Sequence, residues 1–220
     1  MTKITTQNEN KDKEIYGLEK AVATAWNILT NQGIDEVVNR TLCFLGDTSN
    51  TFIIRFLGED YNVQFKERAI TMSNGKAFHN LFKIGILLHY LVHAQDKPIT
   101  NKLISFRELW GGNEYYYAFD NRVLKSLTSY FAKQPELLVA AGRKLGGEAI
   151  TKGDYGISIP ALPRVPLTIL FWVGDEEVQP SANVLFDSSA NEQMETEALV
   201  WLAIATVGEL NQNAHRFVKD

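Results

Sequence analysis

The chain is short of cysteine: Cys43 is the only one in 220 residues. An internal disulfide is excluded, and so is an iron–sulfur cluster held by this chain alone. Between Leu42 and Phe44, Cys43 reads as a small buried hydrophobe rather than a reactive thiol. Basic blocks are also missing. Lys and Arg total 22 against 26 Asp and Glu, for a formal net charge of -4, which speaks against a sequence-independent nucleic-acid surface. The longest apolar run in the middle of the chain, Ile84 to Val92, is interrupted by His89 and falls far short of the ~20 residues a membrane span needs. The polar stretch from Thr2 to Glu14 lacks the apolar core of a signal peptide. The expectation is a cytoplasmic protein with neither a nucleic-acid nor a membrane partner. Catalytic signatures are scarce too. There is no Gly-x-Gly-x-x-Gly or Gly-Lys-Ser/Thr loop, no His-Glu-x-x-His helix and no Gly-x-Ser-x-Gly elbow.

What is present is an ordinary globular composition, 45% hydrophobic and 22% charged. A chain of this size buries roughly 70% of its unfolded surface and needs neither disulfide nor metal to fold. Residues 1–13 are polar and read as a disordered tail, with a single domain over 14–220. Leu18, Val22, Ala25, Trp26 and Leu29 recur at helical spacing up to Gly33. Thr51 to Phe65 alternates as a hairpin about Gly58-Glu59-Asp60. An almost uniformly apolar helix is expected from about Lys76 to Ala94, central in the fold. Further helices are expected over Tyr115–Ala132, Glu136–Leu145 and Thr196 to about Leu210. Tyr155, Ile157 and Ile159 alternate, and Val165 to Val173 is apolar enough for a strand buried on both faces. Clustered rather than alternating elements imply an α+β fold, with one mostly antiparallel sheet packed by the central helix.

Three constellations invite chemistry. Asp175, Glu176 and Glu177 follow the apolar strand, with Asp187 beyond. Gathered carboxylates bind hard cations or act as acid and base, whereas a solvated turn capped by Asp175 is the packing alternative. His89 and His93 lie four apart, the spacing of helical metal ligands. With no neighbouring glutamate, they read instead as a hydrogen-bonded core histidine and a surface histidine, and no zinc site is expected. Arg107 and Glu108 precede Trp110 and the aromatic run Tyr115-Tyr116-Tyr117. A planar guanidinium beside flat rings suits a ring-shaped or anionic ligand, and helical packing is the alternative for the aromatics. Arg164, between prolines, is either an anion binder or the partner of Asp175 or Glu177.

Several segments resemble a known family. Leu145-Gly-Gly-Glu, Ala161-Leu-Pro-Arg-Val-Pro-Leu, Phe171-Trp-Val-Gly-Asp-Glu-Glu and Leu185-Phe-Asp are similar to blocks of a bacterial domain of unknown function, the one numbered three-seven-eight-six. Leu88-His-Tyr-Leu, Ile104-Ser-Phe-Arg-Glu-Leu and Tyr116-Tyr-Ala-Phe resemble its earlier blocks. The resemblance implies no activity, cofactor or catalytic residue. It implies a setting in anaerobic bacteria, where some relatives carry an iron–sulfur region that one cysteine cannot reproduce here. The first functional expectation is an accessory protein that binds a small molecule or a metal-bearing cofactor. Its site would use Arg107, Glu108, Tyr116, Arg164, Trp172, Asp175 and Glu177. A second reading is a metal-dependent hydrolase or transferase using Asp175, Glu177, Asp187 and His89. A third is a domain that binds a partner protein.

Overall fold

The computed structural model describes residues 17–48 and 50–219, so the expected tail at 1–13 lies outside the described residues. The chain opens with α1, helical over 17–30, and α2 (Ile34–Thr41). Four strands follow: β1 (Phe44–Leu45), β2 (Thr51–Phe56), β3 (Glu59–Gln64) and β4 (Ala69–Met72). They form an antiparallel sheet in sequence order. Next come α3 (Leu81–His93), β5 (Leu103–Ser105), a 3₁₀ turn at Phe106–Glu108 and α4 (Gly112–Phe119). A π segment at Asp120–Leu124 joins α4 to α5 (Lys125–Phe131). The remainder is α6 (Glu136–Lys144), β6 (Glu148–Ile150), β7 (Tyr155–Leu162), β8 (Val165–Trp172), β9 (Ser181–Asp187), α7 (Ala190–Gln193) and α8 (Thr196–Lys219). The class is α+β, as the patterning implies. The strands divide into two sheets, however, where the sequence suggested one. The second sheet runs β5-β9-β8-β7-β6, antiparallel throughout.

Register explains the continuous apolar run in β8. Leu167 faces Ile159 and Phe186, and Ile169 faces Ile157 and Val184, all fully or almost fully buried on one side of the sheet. Side chains alternate along a strand, so Thr168 takes the opposite side with Ser158, Leu185 and Ser105. That side is less completely covered. Helix α6 lies on the buried face. Gly142 allows the approach, since a Cβ there would stand 2.4 Å from the Ile157 side chain. Helix α8 in turn packs on α6, α5, α4 and α3. The two sheets meet where the β2–β3 turn docks. Leu57 N–H donates to the Ala161 carbonyl at 3.0 Å. Gly58 sits at φ +84° with its α-carbon pressed on Leu145, where a Cβ would come within 2.8 Å of backbone. Only glycine meets both demands without strain.

The apolar helix α3 starts at Leu81, later than its composition suggests. Asn80 caps it by accepting from Lys83 N–H at 3.1 Å. It packs on α8, α2 and α7 rather than lying on a sheet, and Lys83 pairs with Glu209 of α8. Two arginines hold its C-terminal end. Arg40 donates to the carbonyls of Leu91 and Ala94 at 2.6 and 2.7 Å. Arg164 is 6% exposed. It donates to the Arg40 and Lys97 carbonyls at 2.8 and 2.7 Å and to Asp96. A guanidinium offers five donors in one plane, which is what three acceptors on two segments require. Arg164→Ala is expected to lower stability by about 1–3 kcal/mol, because the half-buried Arg40 carbonyl loses its donor and Lys97 keeps only the longer bond from Gln193. Arg164→Lys should recover little, since an ammonium does not span the same acceptors. Asp96→Ala should cost under about 1 kcal/mol, because that carboxylate is solvated. Urea unfolding midpoints of the three variants check the ranking.

Candidate functional site

The charged and aromatic residues singled out in the sequence do not converge on one place. Arg164 and Asp175 flank opposite ends of β8, about 23 Å apart for an eight-residue strand. The expected pairing of Arg164 with Asp175 or Glu177 is therefore replaced by the contacts just described. Asp175 accepts the backbone N–H groups of Glu177 and Val178 at 2.8 Å each, and these bonds hold its carboxyl below the usual range. Glu177 is exposed in the same turn. Glu108 closes a capping box, accepting Ser105 N–H and Oγ–H at 2.7 Å, which also lowers its pKa. Trp172 was expected to be buried and is 38% exposed. It is one residue past Phe171, so alternation turns it away from the core face. Arg107 and Tyr116 do meet, with the guanidinium 3.6 Å above the ring centre. Tyr116 borders a shallow groove with Lys125, Thr128 and the 179–182 segment.

Asp187 is 1% exposed. Burial raises its pKa, but the N–H and hydroxyl groups of Ser189 and Thr100 all donate to Oδ1 and leave it below the ordinary range. This network ties the strand end to the 100–102 segment, and Asp187 is not among the residues that gather near the histidines.

The histidines form the denser cluster. His89 and His93 stack with ring centres 4.1 Å apart, one turn apart on α3. A third donor comes from far along the chain: Glu195 Oε2 lies 3.5 Å from His89 Nε2. One ligand atom from each of the three residues falls within 4.8 Å of the others. A tetrahedral ion with bonds of about 2.0–2.1 Å separates its ligands by about 3.3 Å, so the His89–Glu195 edge is already close to that geometry. His93 Nδ1 lies 3.0 Å from the His89 carbonyl. A carbonyl only accepts, so Nδ1 donates in this contact and Nε2 is the nitrogen left to face the cluster. Metal-ligating histidines are commonly oriented through such a backbone bond. Both ring nitrogens of His89 are buried without a well-formed hydrogen bond: Nδ1 faces no partner, and Nε2 has only the long contact to Glu195. Burial, and then the nearby His93, push the His89 pKa down to about 4, leaving a neutral ring at neutral pH.

Glu195 is placed by its neighbours. Gln193, fully buried in α7, accepts Gln95 N–H at 3.2 Å and donates to the Lys97 carbonyl at 3.3 Å. These bonds hold the 193–195 segment against the end of α3. Glu195 also accepts Leu199 N–H through its carbonyl, at the start of α8. Its carboxylate is 73% exposed and lies at the edge of the His89 ring. The cluster opens on a cavity of about 420 Å³ between α1, α3 and α8. Leu18, Val22, Ile28, Val92 and Trp201 supply apolar wall, and Lys20 and Thr24 add polar groups. Gly85 faces Leu18 there, and a Cβ would lie 3.2 Å from it.

Compared with known families, the sequence matches the one described as a domain of unknown function (DUF3786) over residues 34–209. The chain belongs to this family. Neither curated proteins nor solved structures give a match. The matched stretch contains His89, His93 and Glu195, whereas α1, one wall of the cavity, precedes it. Among the described residues, no helix is long and apolar enough to cross a membrane. The histidine spacing was visible in the sequence. Glu195 was not, because nothing in a linear reading ties it to α3.

A buried neutral histidine makes the metal-free protein acid-sensitive. The unfolded chain binds a proton at His89 near pH 6.5 and the folded chain only near pH 4. Between these values the unfolded state holds more protons, so stability falls as pH drops from about 6.5 toward 4 and levels off below. The full effect is about 3 kcal/mol. Denaturant midpoints measured from pH 7 to 4 should fall more steeply for the natural chain than for His89→Phe. Parallel curves would show that His89 titrates normally.

Proposed function

We propose that the protein binds a divalent first-row metal ion through His89, His93 and Glu195. The ion's remaining positions would be open to a small molecule in the adjoining cavity. The observation that carries this reading is the gathering of two imidazoles and a carboxylate within 4.8 Å. The unmet ring nitrogens of His89 strengthen it, because a buried polar atom without a partner is costly. Two nitrogens and one oxygen suit zinc and ferrous iron alike. Three protein ligands leave at least one position open, the pattern of a site that receives a ligand rather than a closed structural site.

What supports binding over hydrolysis is the chemistry of the cavity lining. Beyond the ligating histidines it offers Lys20 and Thr24, and among the described residues no carboxylate lines it to act as a base. Asp175 and Asp187, which a hydrolytic reading would recruit, flank opposite ends of β9, about 20 Å apart. The favoured role is thus an accessory protein that carries a metal-bound small molecule.

Zinc, which has no redox chemistry, is the probe. Calorimetric titration of metal-stripped protein is expected to give one equivalent of zinc. Single alanine variants of His89, His93 and Glu195 should each weaken it by at least the roughly 10–100-fold that loss of an outer-shell partner costs. Zinc uptake indifferent to all three substitutions would remove the centre.

A further inference from the structure

We infer that the molecule completing this site is an apolar carboxylic acid of roughly a dozen non-hydrogen atoms, with its carboxylate on the metal and its tail in the α1–α3–α8 cavity. This rests on the metal reading and adds to it the class of ligand. Size comes from the cavity. About 420 Å³, at about 30 Å³ for each water-sized group, holds a ligand of that order. Polarity comes from the walls. Leu18, Val22, Ile28, Val92 and Trp201 offer no hydrogen bond inward except the Trp201 indole N–H, so a polar body would lose its hydration there without compensation.

The head group follows from charge. Two neutral imidazoles and one carboxylate leave a divalent ion with a net charge of +1, and Lys20 adds a second cation on the cavity lining. An anionic oxygen donor satisfies both, whereas an amine would meet Lys20 as a like charge. The geometry also puts the two requirements in line. His89, Gly85 and Val92 all lie on α3 and all border the same cavity. A ligand that touches the histidine end therefore runs its tail along α3. Gly85 lets α1 close over this run, because Leu18 packs directly against it. Any larger residue on that turn would push into Leu18.

The test uses the full chain, decanoate as probe and 1-decanol as its uncharged counterpart. Zinc affinity is measured first and separately, so that it decides the metal reading alone. On zinc-loaded protein, decanoate is expected to bind one to one and decanol about 10–100-fold more weakly, the range of a charged hydrogen bond or its loss. Stripping the zinc, or His93→Ala, should reduce decanoate binding to the level of decanol. Lys20→Met should weaken it by roughly two- to fivefold, as for an exposed charge. Ala25→Phe should fill the cavity and abolish decanoate binding while leaving zinc affinity unchanged, which separates occupancy from unfolding. If zinc binds and decanoate is no better than decanol, the inference falls and the metal centre stands. If decanoate binds equally well without zinc, its head group is elsewhere and the inference falls as well.

Discussion

The Arg164 guanidinium is the constraint on which the arrangement depends. It is buried at the turn between β7 and β8 and reaches outward to the backbone of α2 and of the segment after α3. Arg40, whose carbonyl it holds, caps the end of α3 in turn. At the C-terminus of α3, Arg40 meets both the last carbonyls and the negative end of the dipole. Burial lowers the Arg40 pKa, and Glu36 acts against it. The backbone carbonyls and Asp96 offset that burial, so the pair persists as a fixed strut between the second sheet and the helices.

The candidate metal centre inherits its geometry from that strut. His89 and His93 stand on the last two turns of α3, next to the carbonyls that Arg40 holds. Gln193 grips the same region from α7 and so sets where Glu195 emerges. Three side chains from two remote stretches of chain are thereby brought together. A site supported in this way has its histidines fixed on one helix and its carboxylate exposed to solvent. The neutral, unpartnered imidazole of His89 is the part of the arrangement that fold stability alone does not explain. An apolar side chain of similar size would avoid its acid sensitivity and its unmet nitrogens.

The acidic turn after β8 shows how chemistry-like sequence can be spent on the backbone. Asp175 folds its own turn and Glu108 caps its own helix start, each through bonds to residues two or three away. Short-range bonds of this kind are the commonest use of Asp, Glu and Ser near element ends. Cys43 is similar. It is buried, accepts from Thr41 Oγ at 3.1 Å and has its thiol pushed up to about 12, which makes it inert.

The sequence by itself determined whatever depends on neighbours in the chain: the α+β class, the 51–65 hairpin, the buried β8 run, the helical registers and the face shared by His89 and His93. Alternation and 3.6-residue periodicity are local, so they can be read along a line. Tertiary structure alone decided the division into two sheets, since strands pair through docking and turns whose partners are remote. It decided that Arg164 serves the end of α3 rather than the acids after β8, because the length of a strand holds those apart. It also supplied Glu195. Neither its type nor its position marks it in the sequence, and it joins the two histidines only because α7, Gln193 and the end of α3 pack together.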